Sequence, residues 1–578
     1  MAGALEVTIR EGQRFFLHRL LFVGVDFWWG APLVSAFLIA IPALLLAGPL
    51  SRAGARFGLR IRYGLPLGLA CFGLLLLFPW LARWAAALLA GGVATQGGLW
   101  LANRSTGFER LVRKTLPALL LLPALGGTGL HLSRVGHDAP LSRDRQSADG
   151  PNILLLVLDT VRAMELGLYG FTPSTSPNLD ALARQGVTFD QAFSSAPWTA
   201  PSHGSLFTGR QVNELSIDWT APLDGSFPTL AEQLSTAGYA TVGIVANTEY
   251  LSAETGLARG FAHYEDYRFT GEEALRWTAL SKAVVGFWKR FRHSAPGDLP
   301  GRIGAEDISR RFLRWLDHRA PGNSERPFFA FLNYFDAHGP YFPPEPFWSR
   351  VLPGERRRPL AVSPGGWSIP SAMLGRQAYQ GAIGYLDRQI GALLDSLRAR
   401  GALRETLVIV AGDHGEEFFE HGLMGHGNSL YAPSVRVPLL LVWPGHLRSS
   451  RVREPVGLAA IPATIMDLLD RSGPFPGPSL VGYWSGRPPA PVAVTSGVTY
   501  ARNLPAWYPV SRGALASARV GRYRYIWTLT DSVGQLYDHE TDPMETRNLA
   551  GEPWAATILR ALRDTVANLL PQKGRRIP

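Results

Sequence analysis

The sequence predicts an α/β protein whose doubly wound parallel sheet follows an all-helical, apolar N-terminal region. Three continuous apolar runs predict the sheet, because such runs are typical of strands that are buried on both faces. They cover residues 153–158, 328–332 and 407–411. Helical spacing between the runs, clearest over 379–400, supplies the strand–helix alternation that a parallel sheet requires.

The chain has 578 residues, which is too long for one ordinary domain. Its N-terminal part is apolar, whereas the segment before the first predicted strand is polar and contains glycine, proline and charged residues. We therefore expect a transmembrane region over 1–133, a linker over 134–150, a catalytic domain over 151–489 and a C-terminal subdomain over 490–578.

Four N-terminal stretches have about the 20 apolar residues that a helix needs to cross a bilayer. Two connecting loops, 51–62 and 103–114, each carry four basic residues, and with four spans both loops lie on the same side. Basic loops favour the cytoplasmic side, so the rest of the chain is expected on the outer face. The four predicted spans cover approximately 28–50, 64–81, 85–102 and 115–132.

The net charge of +11 does not indicate nucleic-acid binding. Nearly all of the basic residues are scattered arginines, and they form no run dense enough to follow a phosphate backbone. The single cysteine, Cys71, lies in an apolar stretch. It excludes an internal disulfide and a metal site built from several thiolates.

Polar side chains follow each of the three apolar runs. Asp159 follows the first, Asp336 and His338 follow the second, and Asp413 with His414 follows the third. The carboxyl ends of parallel strands meet at one sheet edge, where ligands bind in open α/β sheets. We predict that Asp159, Asp413 and His414 hold one divalent cation. Mn, Mg, Ca and Zn all suit such oxygen and nitrogen ligands.

Thr199 lies where a short helix is predicted to begin, followed closely by Pro201. The same pattern is typical of a simple capping residue, but a helix N-terminus also suits a phosphate or sulfate anion. Coordination to the predicted cation would stabilise a threonine alkoxide, which an unaided alcohol does not provide near neutral pH. Thr199 is therefore predicted to be both a metal ligand and a nucleophile.

Further candidates surround this site in the sequence. His338 and His426 are predicted to contact an oxyanion or to protonate a leaving group. The predicted substrate-binding residues are His203, Asn247 and Asp336. A second metal would need Asp336, His338 and His426 as its ligands.

The region from residue 152 to about 549 resembles the sulfatase branch of the alkaline-phosphatase-like superfamily. The resemblance implies an α/β/α sandwich with a small C-terminal α+β subdomain. It also implies that Asp159, Thr199, Asp413 and His414 bind the metal, and that His338 and His426 contact substrate or transfer protons. The matching stretches lie at 152–162, 168–170, 176–180, 196–210, 335–341, 412–416, 425–427, 437–445 and 535–549.

The chain departs from the family pattern at the nucleophile position. Sulfatases place Cys or Ser where this chain has Thr199, and that residue is oxidised to formylglycine, a maturation for which threonine is not a substrate. They also place Arg at His203, usually an acidic residue at Thr160, and often Asp at Met164. Threonine at the nucleophile position is similar to membrane-anchored phosphotransferases of the same superfamily, in which it becomes transiently phosphorylated.

The sequence thus predicts a membrane-anchored, sulfatase-like hydrolase or transferase that acts on phosphate-type esters through a phosphothreonine intermediate. Its expected location is a bacterial inner or cell membrane, with the catalytic domain on the outer face. The expected substrate is a phosphate or sulfate ester, with lipid-linked esters and envelope glycans as the candidate carriers. Two alternatives stay open: a sulfuric ester hydrolase without formylglycine, and a catalytically degenerate binding protein.

One further segment, 273–293, has the spacing of an amphipathic, basic helix. It is interpreted either as a membrane-facing lid that meets an anionic lipid or as an ordinary surface helix with one buried face.

Overall fold

A computed structural model describes the chain in two compact units. The first comprises Met1–Asp138, Tyr267–Ala295 and Leu299–Gly301, and the second comprises Ala139–Asp266, Pro296–Asp298 and Arg302–Pro578. Most of the predicted linker lies outside the described residues. The structure describes all residues except 1, 18–19, 22–23, 25, 53–54, 79, 136–148, 268–273, 293–301, 320–325, 361–367, 491, 502–503, 531–533 and 568–578.

In the described residues of the first unit, the regular elements are helices. Its helices are α1 (Ala2–Leu17), α2 (Phe27–Arg52), α3 (Ala55–Leu75), α4 (Arg83–Asn103), α5 (Ser105–Val135) and α9 (Ala279–Arg292).

The helices of the second unit are α6 (Pro177–Ala183), α7 (Thr199–Thr208), α8 (Leu230–Thr236), α10 (Ala305–Asp317), α11 (Phe347–Val351), α12 (Ile369–Ala399), α13 (Ala432–Val435), α14 (Ile461–Leu468), α15 (Val481–Trp484) and α16 (Ala556–Ala567). Its strands are β1 (Asn152–Leu158), β2 (Val187–Phe189), β3 (Ala192–Phe193), β4 (Ala240–Val245), β5 (His263–Glu265), β6 (Phe328–Tyr334), β7 (Thr406–Gly412), β8 (Glu417–Phe418), β9 (Met424–Gly425), β10 (Arg436–Val437), β11 (Leu439–Val442), β12 (Ser450–Val452), β13 (Val456–Gly457), β14 (Val494–Val498), β15 (Leu515–Val520), β16 (Tyr523–Thr528) and β17 (Gln535–Asp538).

Helices α2 to α5 occur at the four stretches that the sequence predicts to span a membrane. Among the described residues, two segments are long and apolar enough to do so by length and composition: Phe27–Leu46 and Arg83–Asn103. Pro66 lies inside α3, and Pro117 and Pro123 lie inside α5.

Small residues bring α3 and α4 into close contact. A Cβ atom on Gly64 would lie 2.5 Å from the carbonyl oxygen of Ala94, and one on Gly98 would lie 2.7 Å from that of Arg60. Glycine at these positions therefore lets the two backbones approach, as in the small-residue interfaces of membrane helices.

A mixed eight-stranded sheet forms the centre of the second unit, in the order β12-β2-β11-β7-β1-β6-β4-β5. Strands β7, β1, β6, β4 and β5 are parallel, and β11 is antiparallel to β7. The side chains of β1 alternate between two hydrophobic cores, one on each face of the sheet. Burial on both faces explains the continuous apolar runs, and the predicted α/β class is confirmed.

A four-stranded antiparallel sheet, β14-β15-β16-β17, follows in the C-terminal part of the chain, and α16 packs on it. Glu545 connects this part to the helix α13. Its buried carboxylate accepts hydrogen bonds from Arg524 Nη1 at 2.8 Å, His539 Nε2 at 2.5 Å and the backbone N–H of Ala432 at 2.7 Å. Burial alone would raise the pKa of Glu545, but Arg524 and His539 outweigh it and lower that pKa to about 2.

We predict that Glu545→Gln destabilises the second unit by about 3 kcal/mol, because it leaves Arg524 buried without its counter-charge. The lowered pKa of Glu545 means that its stabilisation is complete above the ordinary value of 4.5 and is lost as the pH falls towards about 2. The unfolding free energy from chemical denaturation should therefore decline over this range in the wild type and less steeply in the variant.

Glu540→Gln is the matched control, because Glu540 forms an exposed ion pair with Arg522. It should change the unfolding free energy by less than about 1 kcal/mol. Equal destabilisation by both substitutions would contradict the role assigned to the buried cluster.

Candidate active site

The register of the sheet brings two aspartates together. Leu158 at the end of β1 pairs with Gly412 at the end of β7, so Asp159 and Asp413 leave adjacent parallel strands side by side. His414 follows directly. Ligand atoms of Asp159, Asp413 and His414 all lie within 4.8 Å of one another, and all three side chains are buried.

Each aspartate has one carboxylate oxygen anchored and one without a hydrogen bond. Asp413 Oδ1 accepts from the backbone N–H groups of Thr160 and His414, and Asp159 Oδ2 accepts from Asn247 Nδ2. Asp159 Oδ1 and Asp413 Oδ2 are buried and accept no hydrogen bond from the described residues. His414 Nε2 lies 3.9 Å and 3.5 Å from these two oxygens.

The charges of this cluster suit a cation. Burial raises the pKa of Asp159 to about 6 and raises the pKa of Asp413 well above its ordinary value, because neither carboxylate faces water. Burial also lowers the pKa of His414 well below its usual range, which leaves the imidazole neutral, as a metal ligand must be. A divalent cation would satisfy both unpaired oxygens and offset the buried negative charge, so these residues fit the predicted metal.

Thr199 is the first residue of α7, and every side chain of this helix is buried. Its Oγ1 lies 3.3 Å from His414 Nε2 and accepts a hydrogen bond from Asn247 Nδ2 at 3.2 Å. The same Asn247 amide bonds to Asp159. Asn247 therefore connects the Thr199 hydroxyl to Asp159. The sequence predicted a substrate contact for Asn247, and that contact stays a prediction.

His203 lies one turn further along α7, buried against Phe207 and Phe331. Its Nδ1 donates to the backbone carbonyl of Thr199 at 2.9 Å, and burial lowers its pKa to about 4. The described geometry makes it a support for Thr199, and its predicted contact with substrate stays a prediction.

Two more histidines complete a row of three rings. The ring centroids of His338 and His426 are 4.9 Å apart, and those of His426 and His414 are 4.4 Å apart. His426 Nδ1 lies 2.9 Å from Oε1 of the buried Glu416. Burial lowers the pKa of His426, but the Glu416 carboxylate outweighs burial and raises it above the usual value.

The sequence assigned no role to Glu416, although it closes the motif 412–416. Arg302, which lies outside every motif, was also missed. Its guanidinium donates to the backbone carbonyls of Phe335, Asp336, His338 and Pro340 and so fixes the loop that carries His338.

Asp336 lies in this loop, where its Oδ1 accepts from the backbone N–H of Ala305 at 3.2 Å. Among the described residues, the group with metal-ligand spacing is Asp159, Asp413 and His414. Asp336, His338 and His426 do not form a second such group there, and the substrate contact of Asp336 stays a prediction.

Among the described residues, neither Thr160 nor Glu165 adds a carboxylate to the group of Asp159, Asp413 and His414. Thr160, with a left-handed φ of 60°, donates its hydroxyl to the carbonyl of Asp159. Glu165 is engaged elsewhere, with Arg162, Arg376 and Gln380.

Aromatic rings adjoin the start of α7. Trp198 and Trp219 stack with centroids 4.0 Å apart, and a Cβ atom on Gly427 would lie 2.7 Å from the Trp219 ring, so this ring reaches the residue beside His426. A small cleft of about 50 Å³ opens next to Trp198 and Pro201.

The family model described as Sulfatase matches residues 151–471. The chain therefore belongs to the sulfatase family of the alkaline-phosphatase-like superfamily, whose members are hydrolases that use a divalent metal.

Relatives and solved structures agree with this assignment. The chain is 26% identical over 445 residues to a choline-sulfatase of Rhizobium meliloti (strain 1021), covering 70% of this chain and 83% of that protein. It is 25% identical over 471 residues to Homo sapiens arylsulfatase A, covering 72% and 86%. The structure of the phosphonate monoester hydrolase of Agrobacterium radiobacter superposes with a TM-score of 0.57 at 22% identity, covering 72% of this chain and 95% of that one, and confirms the fold.

We predict that the purified protein retains a divalent metal and that Asp413→Asn loses it, because the variant removes one ligand charge. Elemental analysis should find about one ion per chain in the wild type. A chelator should lower the wild-type melting temperature, since a ligand at a hundred times its Kd stabilises a fold by about 2.7 kcal/mol. The variant should not respond to the chelator.

Asp336→Asn is the control, because it neutralises a buried carboxylate at the same sheet edge without touching the cluster. It should keep the metal. Loss of metal in both variants, or in neither, would contradict the assigned ligand set.

Proposed function

We propose that this sulfatase-family protein is a membrane-anchored hydrolase or transferase that cleaves phosphate-type esters by attack of Thr199. The position of the Thr199 hydroxyl carries the proposal: it lies 3.3 Å from His414 Nε2, which is itself 3.9 Å and 3.5 Å from the unsatisfied oxygens of Asp159 and Asp413. Trp198 is the N-cap of α7, so Thr199 is not the capping residue, and its hydroxyl contacts the side chains of Asn247 and His414.

In the first step the Thr199 hydroxyl releases its proton and Oγ1 bonds to phosphorus, while the bond from phosphorus to the leaving-group oxygen breaks and that oxygen takes up a proton. The second step transfers the phosphoryl group from Thr199 to water or to an acceptor hydroxyl, and the threonine hydroxyl regains its proton. Bound by Asp159, Asp413 and His414, a divalent cation would supply the positive charge that lowers the hydroxyl pKa and offsets the charge of the ester.

The chain's own residues orient these steps. Asn247 fixes the Thr199 hydroxyl, and the bond from His203 fixes the Thr199 backbone. The Glu416 carboxylate holds Nδ1 of His426, so Nε2 is the atom through which His426 would protonate the leaving oxygen. His338, next in the row of rings, would contact an ester oxygen.

We predict that Thr199→Ala abolishes turnover and that Thr199→Ser keeps measurable turnover, because serine retains the hydroxyl. Intact-protein mass spectrometry after exposure to an aryl phosphate ester should show a phosphoryl adduct on wild type and on the serine variant only. Thr208→Ala is the control, because Thr208 lies in the same buried helix and its hydroxyl bonds to Gly204. Full activity in Thr199→Ala would contradict a nucleophilic role.

Sulfate ester hydrolysis is the second candidate, and the names of the relatives favour it, since choline-sulfatase and arylsulfatase A match over most of their length. Parallel assays on matched aryl phosphate monoester, phosphate diester and sulfate substrates separate the two. A dominant, metal-dependent sulfatase rate that is lost in Thr199→Ala would favour sulfate. The absence of turnover on all three, without bound metal, would favour a degenerate binding protein.

The first unit supports membrane anchoring. Large apolar side chains on α2 and α4, among them Leu44 and Leu88, are exposed, which is unfavourable in water. Trp84 and Trp100, exposed by 71% and 55%, lie near the two ends of α4. Their axial separation is about 24 Å at about 1.5 Å per residue. Tryptophans spaced in this way are typical of the two interfaces of a bilayer.

We predict that residues of the second unit face the outer side and that the first turns of α5, which the structure forms over most of the predicted basic loop 103–114, face the cytoplasm. In a Cys71→Ala background, Val520→Cys should react with an impermeant maleimide in intact spheroplasts. Gly107→Cys, at a position with open space around it, should react only after permeabilisation. The reverse pattern would contradict the orientation, and extraction of the chain by alkaline carbonate would contradict anchoring.

A further inference from the structure

Helix α9 lies far along the chain from the N-terminal helices, yet it folds with them. The segment 267–295 joins α1 to α5 in the first unit, although the strands before and after it, β5 and β6, belong to the second. The chain thus returns to the first unit between β5 and β6 of the central sheet.

Specific contacts hold the start of α9. The backbone N–H of Ala279 donates to Oε1 of Glu6 in α1 at 2.8 Å, and Arg10 pairs with the same Glu6. Thr278 and Ser281 cap the helix reciprocally, and both are buried. A buried carboxylate that accepts from a helix N-terminus fixes where that helix begins.

The ring of Trp277 packs so closely on α2 that residue 30 of that helix has to be glycine. It is buried with Phe27 and Ala31, and a Cβ atom on Gly30 would lie 1.8 Å from its ring. The Cβ atom of Leu280, the second residue of α9, lies 3.3 Å from the position of a Cβ atom on Gly73 in α3. The first turn of α9 is therefore packed on α2 and α3, the apolar helices for which a membrane location is proposed.

The rest of α9 combines apolar and basic residues. From 274 to 292 the sequence has five basic residues and no acidic one. Val284 is 39% exposed although it follows Leu280 on the same helical face. The apolar spacing continues through Phe287, Trp288 and Phe291, while Lys289, Arg290 and Arg292 supply charge in the last turns. A helix of this composition suits the plane of a bilayer interface.

We infer that α9 lies on the membrane surface and binds the anionic headgroups of the bilayer that α2 and α4 cross. The inference rests on the proposed membrane anchoring and adds a second, charge-dependent attachment that comes from within the catalytic sequence. Net positive charge favours anionic lipid over zwitterionic lipid. Because Trp277 packs on α2 and Leu280 on α3, apolar residues at the start of α9 would lie beside the acyl chains.

The test uses the full chain with Cys71→Ala, labelled at one introduced cysteine with an environment-sensitive fluorophore and reconstituted in nanodiscs. Val284→Cys reports on α9. Val520→Cys, with a similar exposure of 44% on β15, is the control for the second unit. Leu88→Cys, 69% exposed on α4, reports on the anchor. Nitroxide lipids labelled near the headgroup or at mid-chain serve as quenchers, in phosphatidylcholine with or without phosphatidylglycerol.

We expect headgroup-labelled lipid to quench Val284→Cys, with more quenching when phosphatidylglycerol is present, and to leave Val520→Cys unchanged. Lys289→Glu with Arg290→Glu should remove the gain from phosphatidylglycerol. Arg560→Glu with Arg563→Glu, at exposed positions of α16, should leave the gain from phosphatidylglycerol unchanged.

Mid-chain quenching of Leu88→Cys without any quenching of Val284→Cys would overturn the inference and leave the anchor intact. If neither Leu88→Cys nor Val284→Cys is quenched, both the inference and the proposed membrane anchoring are overturned. Quenching of Val284→Cys that ignores lipid charge would overturn the recognition of anionic headgroups.

Discussion

The proximity of two buried carboxylates is the constraint on which the rest of the site depends. Asp159 and Asp413 meet because β1 and β7 are parallel neighbours in a register that ends both strands at the same level. One oxygen of each is anchored and the other is unsatisfied. A buried pair of this kind is costly without a counter-charge, so the fold holds an arrangement that a cation would complete.

Thr199, Asn247 and His414 take their positions from that pair. Asn247 bridges Asp159 and Thr199, while His414 stands between the second carboxylate and the hydroxyl. Three elements distant in sequence therefore converge on one oxygen atom. This convergence, more than any single residue type, distinguishes a nucleophile from a threonine that merely caps a helix.

Much of this could be predicted from the sequence, because strand ends in a parallel sheet share an edge. The apolar runs located β1, β6 and β7, and the polar residues after them gave Asp159, Asp413 and His414. The side chains that support the site could not be predicted from strand ends in this way. The contact of Glu416 with His426 depends on the orientation of the imidazole ring, which hydrophobic periodicity does not predict. Arg302 donates to backbone carbonyls, which every residue has, so no side-chain pattern reveals its role.

The helical unit shows a second limit. The apolar stretches of this unit could be predicted from the sequence. The packing of Trp277 on Gly30 could not, because it joins residues nearly 250 positions apart and depends on the lack of a side chain at Gly30. Amphipathic spacing over 273–293 left two interpretations open, and contacts with α1 to α3 were needed to favour the membrane-facing one.

Crystallography of the protein with metal and vanadate is the most direct test of the central claim. The account predicts anomalous scattering between the unpaired oxygens of Asp159 and Asp413, with Thr199 Oγ1 bonded to vanadium as an apical ligand. Metal density elsewhere, or vanadate bound through water with Thr199 turned away, would contradict it.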